Sequence, residues 1–232
     1  MALPPATNEA FLREVDEELR RDQIADAARR WGRIAIVAVL AALAAFGGWL
    51  YWQHRQEQQA GTQGEALQAA LEQANTGKVP QATAALQPLE TSGADGYRAL
   101  AQLTQADLLA PKDAKGAAAR YAAVAADTSL AQPFRDLATL RQTATELDTL
   151  QPQQVVERLR PLTVPGSPWF GSAGEMTAIA YLRQNRRDLA GKLFGQIAKA
   201  DDVPESIRQR AVQMAGLLGV DAAPSAGATP KP

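Results

Sequence analysis

WFGSAGEMTAIAYLRQNRRDLAGKLFGQIAKADD, residues 169–202, reads as two helices joined by a tight turn. The first helix runs from Trp169 to Gln184 and stops at Asn185. The second carries Ala190, Phe194 and Ile197 at i, i+4 and i+7, which is one face of a helix. Ala178 and Tyr181 on the first helix are set to face Ala190 and Phe194 on the second. The alanines let the two backbones approach and the rings fill the seam. A hairpin of this kind cannot cover its own apolar face, so other parts of the chain must shelter it.

The same pattern recurs upstream. A small or β-branched residue, a large apolar one four positions on and an aliphatic one three beyond that occur as Ala82, Leu86, Leu89, as Ala117, Tyr121, Val124, and as Val155, Leu159, Leu162. The large apolar positions 86, 121, 159 and 194 lie 35, 38 and 35 residues apart. Ahead of each triad is another helical stretch that ends in a loop signal. These stretches are 57–75 before Thr76-Gly77, 96–110 before Pro111-Lys112-Asp113, and 132–149 before Gln151-Pro152. A helix–turn–helix unit repeated at this interval is the period of tetratricopeptide-type repeats, in which stacked neighbours share a core. The expected fold is therefore all-α, an α-solenoid of about four helical hairpins. Pro88 and Pro161 fall late in second helices, where each removes an N–H, so those helices should be short. A capping helix should follow over 204–218, with Ile207, Ala211, Met214 and Leu218 in a stripe. Asp201, Asp202 and Glu205 suit the positive end of that helix, and Gly219 is its stop.

Further upstream, IAIVAVLAALAAFGGWLYW, residues 34–52, holds no ionisable side chain over nineteen residues. As a helix it extends about 28 Å at ~1.5 Å per residue, close to the ~30 Å of a bilayer's hydrocarbon. Trp31 precedes it, and Trp49, Tyr51 and Trp52 crowd its far end, where amphipathic rings settle among headgroups. This is the signature of a single transmembrane helix. Arg20, Arg21, Arg29, Arg30 and Arg33 precede it, whereas only Arg55 follows closely, which places the N-terminus in the cytoplasm. The alternative is a cleaved signal peptide, for which Ala42-Leu43-Ala44 supplies an A-x-A site. The long apolar run and the long charged segment before it favour a retained anchor. Ala41, Ala44, Ala45 and Gly48 give the span small residues at helix-neighbour spacing.

The resulting organisation is a cytoplasmic segment over 1–33, a span over 34–52, an outer domain over 53–220 and a disordered tail over 221–232. Residues 1–7 should be unstructured, with Asn8 capping a charge-laced helix whose apolar stripe is only Leu12, Val15 and Leu19. That helix is either solvated or a docking element for a partner. Gln53–Glu65 reads as a polar stalk.

Chemistry is sparse. There is no cysteine, and the single histidine, His54, sits two residues past the span, with no second imidazole or thiolate to hold a metal. Gly61-Thr62-Gln63-Gly64 lacks the lysine and glycine spacing of a phosphate loop. Beyond the span, eighteen basic residues balance eighteen acidic ones, which does not suit a nucleic-acid surface. No catalytic residue, cofactor or metal is expected, and a membrane-bound enzyme is the weakest class of reading. Trp169, after Pro165-Gly166-Ser167-Pro168, is either a plug in the hairpin seam or an exposed aromatic contact for a partner. Arg183, Arg186 and Arg187 read as a solvated loop.

A charged N-terminus, one span and a degenerate outer repeat domain resemble the YfgM family, ancillary subunits of the SecYEG translocon. The likeness is carried by Gly96-Tyr97-Arg98-Ala99-Leu100-Ala101 through Ala117 to Asp127-Thr128, and by Trp169–Asp202 with Ala178, Tyr181, Ala190 and Phe194. It covers residues 34–218, although the charged segment from Phe11 to Arg30 is longer than the family leads one to expect. The resemblance implies a bacterial inner-membrane protein whose domain lies in the periplasm. It further implies association with the Sec translocon and with a PpiD-type membrane-anchored chaperone, in aid of emerging secreted chains. Without the resemblance, a scaffold for another envelope process, such as cell division or outer-membrane assembly, fits the same residues.

Overall fold

The computed structural model describes residues 6–222, without the side chains of 6–31, 33 and 35. Every regular element among them is helical: α1 (Ala6–Asn75), α2 (Val79–Leu86), a 3-10 turn (Gln87–Thr91), α3 (Asp95–Leu109), α4 (Ala114–Ala126), α5 (Gln132–Glu146), α6 (Pro152–Leu159), α7 (Phe170–Arg183), α8 (Arg187–Ala198) and α9 (Glu205–Leu217). The chain divides into two compact units, Met1–Gly61 and Thr62–Pro232.

Helix α1 contains the one helix segment among the described residues that is long and apolar enough to cross a membrane, and its most apolar part is not buried. Ile36, Val37, Val39, Leu40, Leu43 and Phe46 are all more than half exposed. Trp49, Tyr51 and Trp52 are exposed as well, with Trp49 tilted against Phe46 at 5.9 Å and the Arg55 guanidinium 5.6 Å above the Tyr51 ring. The side chains of Trp31 and Arg33 lie outside the described residues. One expectation needs correction here. Ala6 and Thr7 are already helical, so Asn8 does not cap α1. The helix expected from residue 57 is continuous with the apolar stretch through the Gln-rich residues before it: Gln and Glu are good helix formers, and Gln53–Glu57 and His54–Gln58 pair at i, i+4.

The second unit is a solenoid. From α2 to α9 each helix packs on the next, and in addition α3 meets α5, α5 meets α7 and α7 meets α9. First helices thus line up beside first helices, and α9 takes the place of a fifth one. Four core clusters follow this order, each closed by small residues from the next first helix. Leu67, Leu86 and Leu89 are joined by Ala101 of α3. Leu103, Tyr121 and Val124 are joined by Ala138 of α5. Val155, Leu159 and Leu162 are joined by Ala173 and Ala180 of α7. Phe170, Ala178, Ala190, Phe194 and Ile197 are joined by Ala211 and Ala215 of α9. Ala82 and Ala117 are buried at the start of their triads. Alanine at these positions allows the backbones to approach, which is why one hairpin completes the core of the last.

Prolines set the lengths. Pro88 converts the end of the first hairpin into the 3-10 turn, and Pro161 follows the end of α6. Both α2 and α6 therefore have 8 residues, against 13 in α4 and 12 in α8. Three helices end with the same device, in which a left-handed residue turns the chain and the next N–H bonds back to the third-last helical carbonyl. The turning residues are Gly77 after α1, Asn185 after α7 and Gly219 after α9. Packing continues past α9 as far as Ala222, which is buried, while 223–232 lie outside the described residues.

The fold requires glycine for space at several close contacts, of which Gly171 is the tightest against a stiff side chain. A Cβ on Gly171 of α7 would lie 2.7 Å from Val203 Cγ1, a stiff β-branched side chain. Gly171→Ala is expected to lower stability by about 1–3 kcal/mol through this overpacking, read as a lower urea midpoint with unchanged slope.

Candidate protein-interaction surface

The row formed by α3, α5, α7 and α9 is held in register by polar clips that span about one repeat. Arg141 of α5 pairs with Asp107 of α3, and the Tyr121 hydroxyl of α4 donates to the same carboxylate at 2.5 Å. Arg183 of α7 donates to the Leu147 and Leu150 carbonyls at the end of α5, at 2.5 and 3.1 Å. There it satisfies acceptors the helix terminus leaves open, and its charge meets the negative end of the helix dipole. Arg210 of α9 forms a two-pronged bond with Glu175 of α7, both arms at 2.8 Å. Arg183 is accordingly no solvated-loop residue, and Arg186 lies 5.6 Å over the Tyr181 ring, which is half-buried. The signal for these clips was present as charges one period apart, but opposite charges at such separations are common in any chain.

Tyr121 is the one phenol drawn into the core. Burial, and then its bond to Asp107, push its ionisation well above the ordinary value of 10.0. Because the folded value exceeds the unfolded one, the stability Tyr121 contributes is complete below pH 10.0 and falls as the pH rises beyond it. An alkaline spectral titration should therefore show a late-ionising phenol that is missing from Tyr121→Phe.

Trp169 is half-buried against the cluster containing Val155 and Met176, its N–H bonded to the Ser167 hydroxyl. The fully enclosed ring at this joint is its neighbour Phe170, which the sequence reading did not single out. Large exposed hydrophobes are few on the second unit: among the described residues they are Leu71, Leu100, Val164 and Leu217, and they come from separate elements.

Two clefts are among those that indent the solenoid over the described residues. One, of about 290 Å³, is lined by Glu90, Gln102, Arg120, Ala123, Val124 and Asp127. Its charges are engaged structurally: Arg120 donates to Gln105 and Glu90 at 2.9 and 3.3 Å, and Asp127 accepts from the hydroxyl and N–H of Ser129. The Ser129 hydroxyl, first among several causes, holds the Asp127 carboxyl below its usual value, so it stands as an ionised acceptor rather than a proton carrier at neutral pH. The other cleft, of about 360 Å³, is lined by α6, α7 and α8. Among the described residues no group of three or more His, Cys, Asp or Glu side chains is placed to hold a metal ion.

Stacked helical hairpins clipped into one extended surface define a protein–protein interaction scaffold. The chain belongs to the tetratricopeptide repeat-like domain family, whose model matches residues 29–215. That match begins ahead of the apolar stretch and so covers it together with the hairpins. No curated protein and no solved structure matches the chain.

Proposed function

We propose that this protein is a membrane-tethered adaptor of the bacterial cell envelope. In this reading the helix over 34–52 crosses the inner membrane with the N-terminus cytoplasmic, and the solenoid works in the periplasm beside the Sec translocon. Its partners are translocon subunits and a PpiD-type anchored chaperone. The observation that carries the reading is the pairing, in one chain, of an unburied lipid-length apolar helix with a repeat domain built for protein contacts. The arginine excess before the span supports the orientation, and the resemblance to the YfgM family supports the partners. Tethering supplies effective concentration: weak contacts suffice when a partner is held at millimolar local levels, about the range expected of short linkers. The scarcity of exposed hydrophobes favours recognition of folded partners over direct holding of greasy clients.

Affinity purification from mild detergent tests the assignment. Translocon subunits and the anchored chaperone should co-purify. Recovery of division or outer-membrane assembly components in their place would move the adaptor to another envelope machine.

A further inference from the structure

The second cleft carries more than its shape. Short α6 ends just before Pro161, and Thr177 and Tyr181 of α7 are in the lining of the cleft beside it. Arg160 enters from the end of α6 and Lys192 from α8. Both are exposed, and neither makes an ion pair or a side-chain hydrogen bond among the described residues. Arg98, Arg120, Arg141, Arg158, Arg183, Arg208 and Arg210, by contrast, are engaged in ion pairs or hydrogen bonds, and of the cations without such partners these two are the ones that line a cleft together. No carboxylate lines the cleft. Beside the two cations the lining is aliphatic at Val156 on α6 and at Leu189 and Leu193 on α8. The Thr163 and Thr177 hydroxyls in its lining are 3.2 Å apart and bond to each other, and Thr163 also donates to the Leu159 carbonyl at 2.9 Å.

We propose that this cleft docks a short acidic–aliphatic peptide segment of a protein partner. A carboxylate sits between Arg160 and Lys192, and a neighbouring aliphatic side chain lies on Val156, Leu189 and Leu193. The volume of about 360 Å³ has room for two or three side chains and not for a folded surface. The aliphatic floor selects a peptide over a bare anion, and the charge selects an acidic peptide over a neutral one. This goes beyond the tethering role, since the cleft binds such a segment wherever the adaptor is stationed.

The test uses the full chain in detergent micelles and the fluorescein-labelled peptide Ala-Glu-Ile-Glu-Leu, with its Gln and Lys counterparts, read by anisotropy. The Glu peptide should bind best and weaken as salt rises. Arg160→Glu with Lys192→Glu should weaken it about tenfold and make the Lys peptide the better ligand. The pair Lys112→Glu and Lys115→Glu, far from the cleft in sequence and absent from its lining, should leave binding unchanged. The exchange of preference is a gain, which a misfolded variant cannot produce. Equal binding of the Glu and Gln peptides would overturn the proposal. So would insensitivity to the charge reversal, or displacement by inorganic phosphate at matched ionic strength. None of these outcomes depends on the translocon, and the co-purification result does not depend on them.

Discussion

Phe194→Ala should destabilise the solenoid by about 3–5 kcal/mol, a large share of the roughly 5–15 kcal/mol that holds a domain together. The ring is 1 % exposed and lies in one cluster with Phe170, Ala178, Ile197 and Val203. Its removal leaves a void that close-packed neighbours fill only in part. Stability in a solenoid passes between nearest neighbours, so α7, α8 and α9 should loosen first, and hydrogen exchange should rise there before it rises in α3 and α4. Leu217→Ala is the matched control. That side chain is 74 % exposed, and its truncation should change stability by less than about 0.5 kcal/mol. Denaturant titration of the full chain in detergent separates the two.

Val39→Arg with Leu43→Arg should strip the chain of its membrane retention. The two positions lie one helical turn apart near the middle of the apolar stretch, and both are exposed, so no protein core accommodates them. Each arginine near the centre of a bilayer costs about 2.5–3.5 kcal/mol on insertion scales. Carbonate extraction should find the native chain in the pellet and the double variant in the supernatant. Gln58→Arg, beyond the stretch, should stay with the membrane.

The parts of the fold that were plain in the sequence are those in which one residue type can serve only one purpose. Leu86, Tyr121, Leu159 and Phe194 return at nearly constant intervals because each must fill the seam of a hairpin. Pro88 and Pro161 shorten their helices because proline has no N–H to give. Gly219 ends α9 because a left-handed residue is needed there. Other parts had no such marker. A helix rich in Gln and Glu with solvent all round has no apolar period, so nothing in 53–56 joined the apolar stretch to the helix expected from residue 57. At the joint before α7, adjacent residues point about 100° apart, and nothing local decided whether Trp169 or Phe170 would be enclosed. The clips were least visible. Asp107, Arg141, Glu175, Arg183 and Arg210 look like ordinary surface charge until the stacking of first helices brings residues one repeat apart face to face. The cations Arg160 and Lys192, 32 residues apart in the chain, share a cleft only because α6 and α8 both pack on α7.

That the solenoid is displayed on the far side of the membrane from the N-terminus is tested most directly by labelling. The chain has no cysteine, so a single substitution gives an unambiguous reporter. In intact spheroplasts a membrane-impermeant maleimide should modify Lys112→Cys, in the loop between α3 and α4, and should reach Thr7→Cys only after lysis. Labelling of Thr7→Cys in intact spheroplasts, with Lys112→Cys protected, would contradict the account.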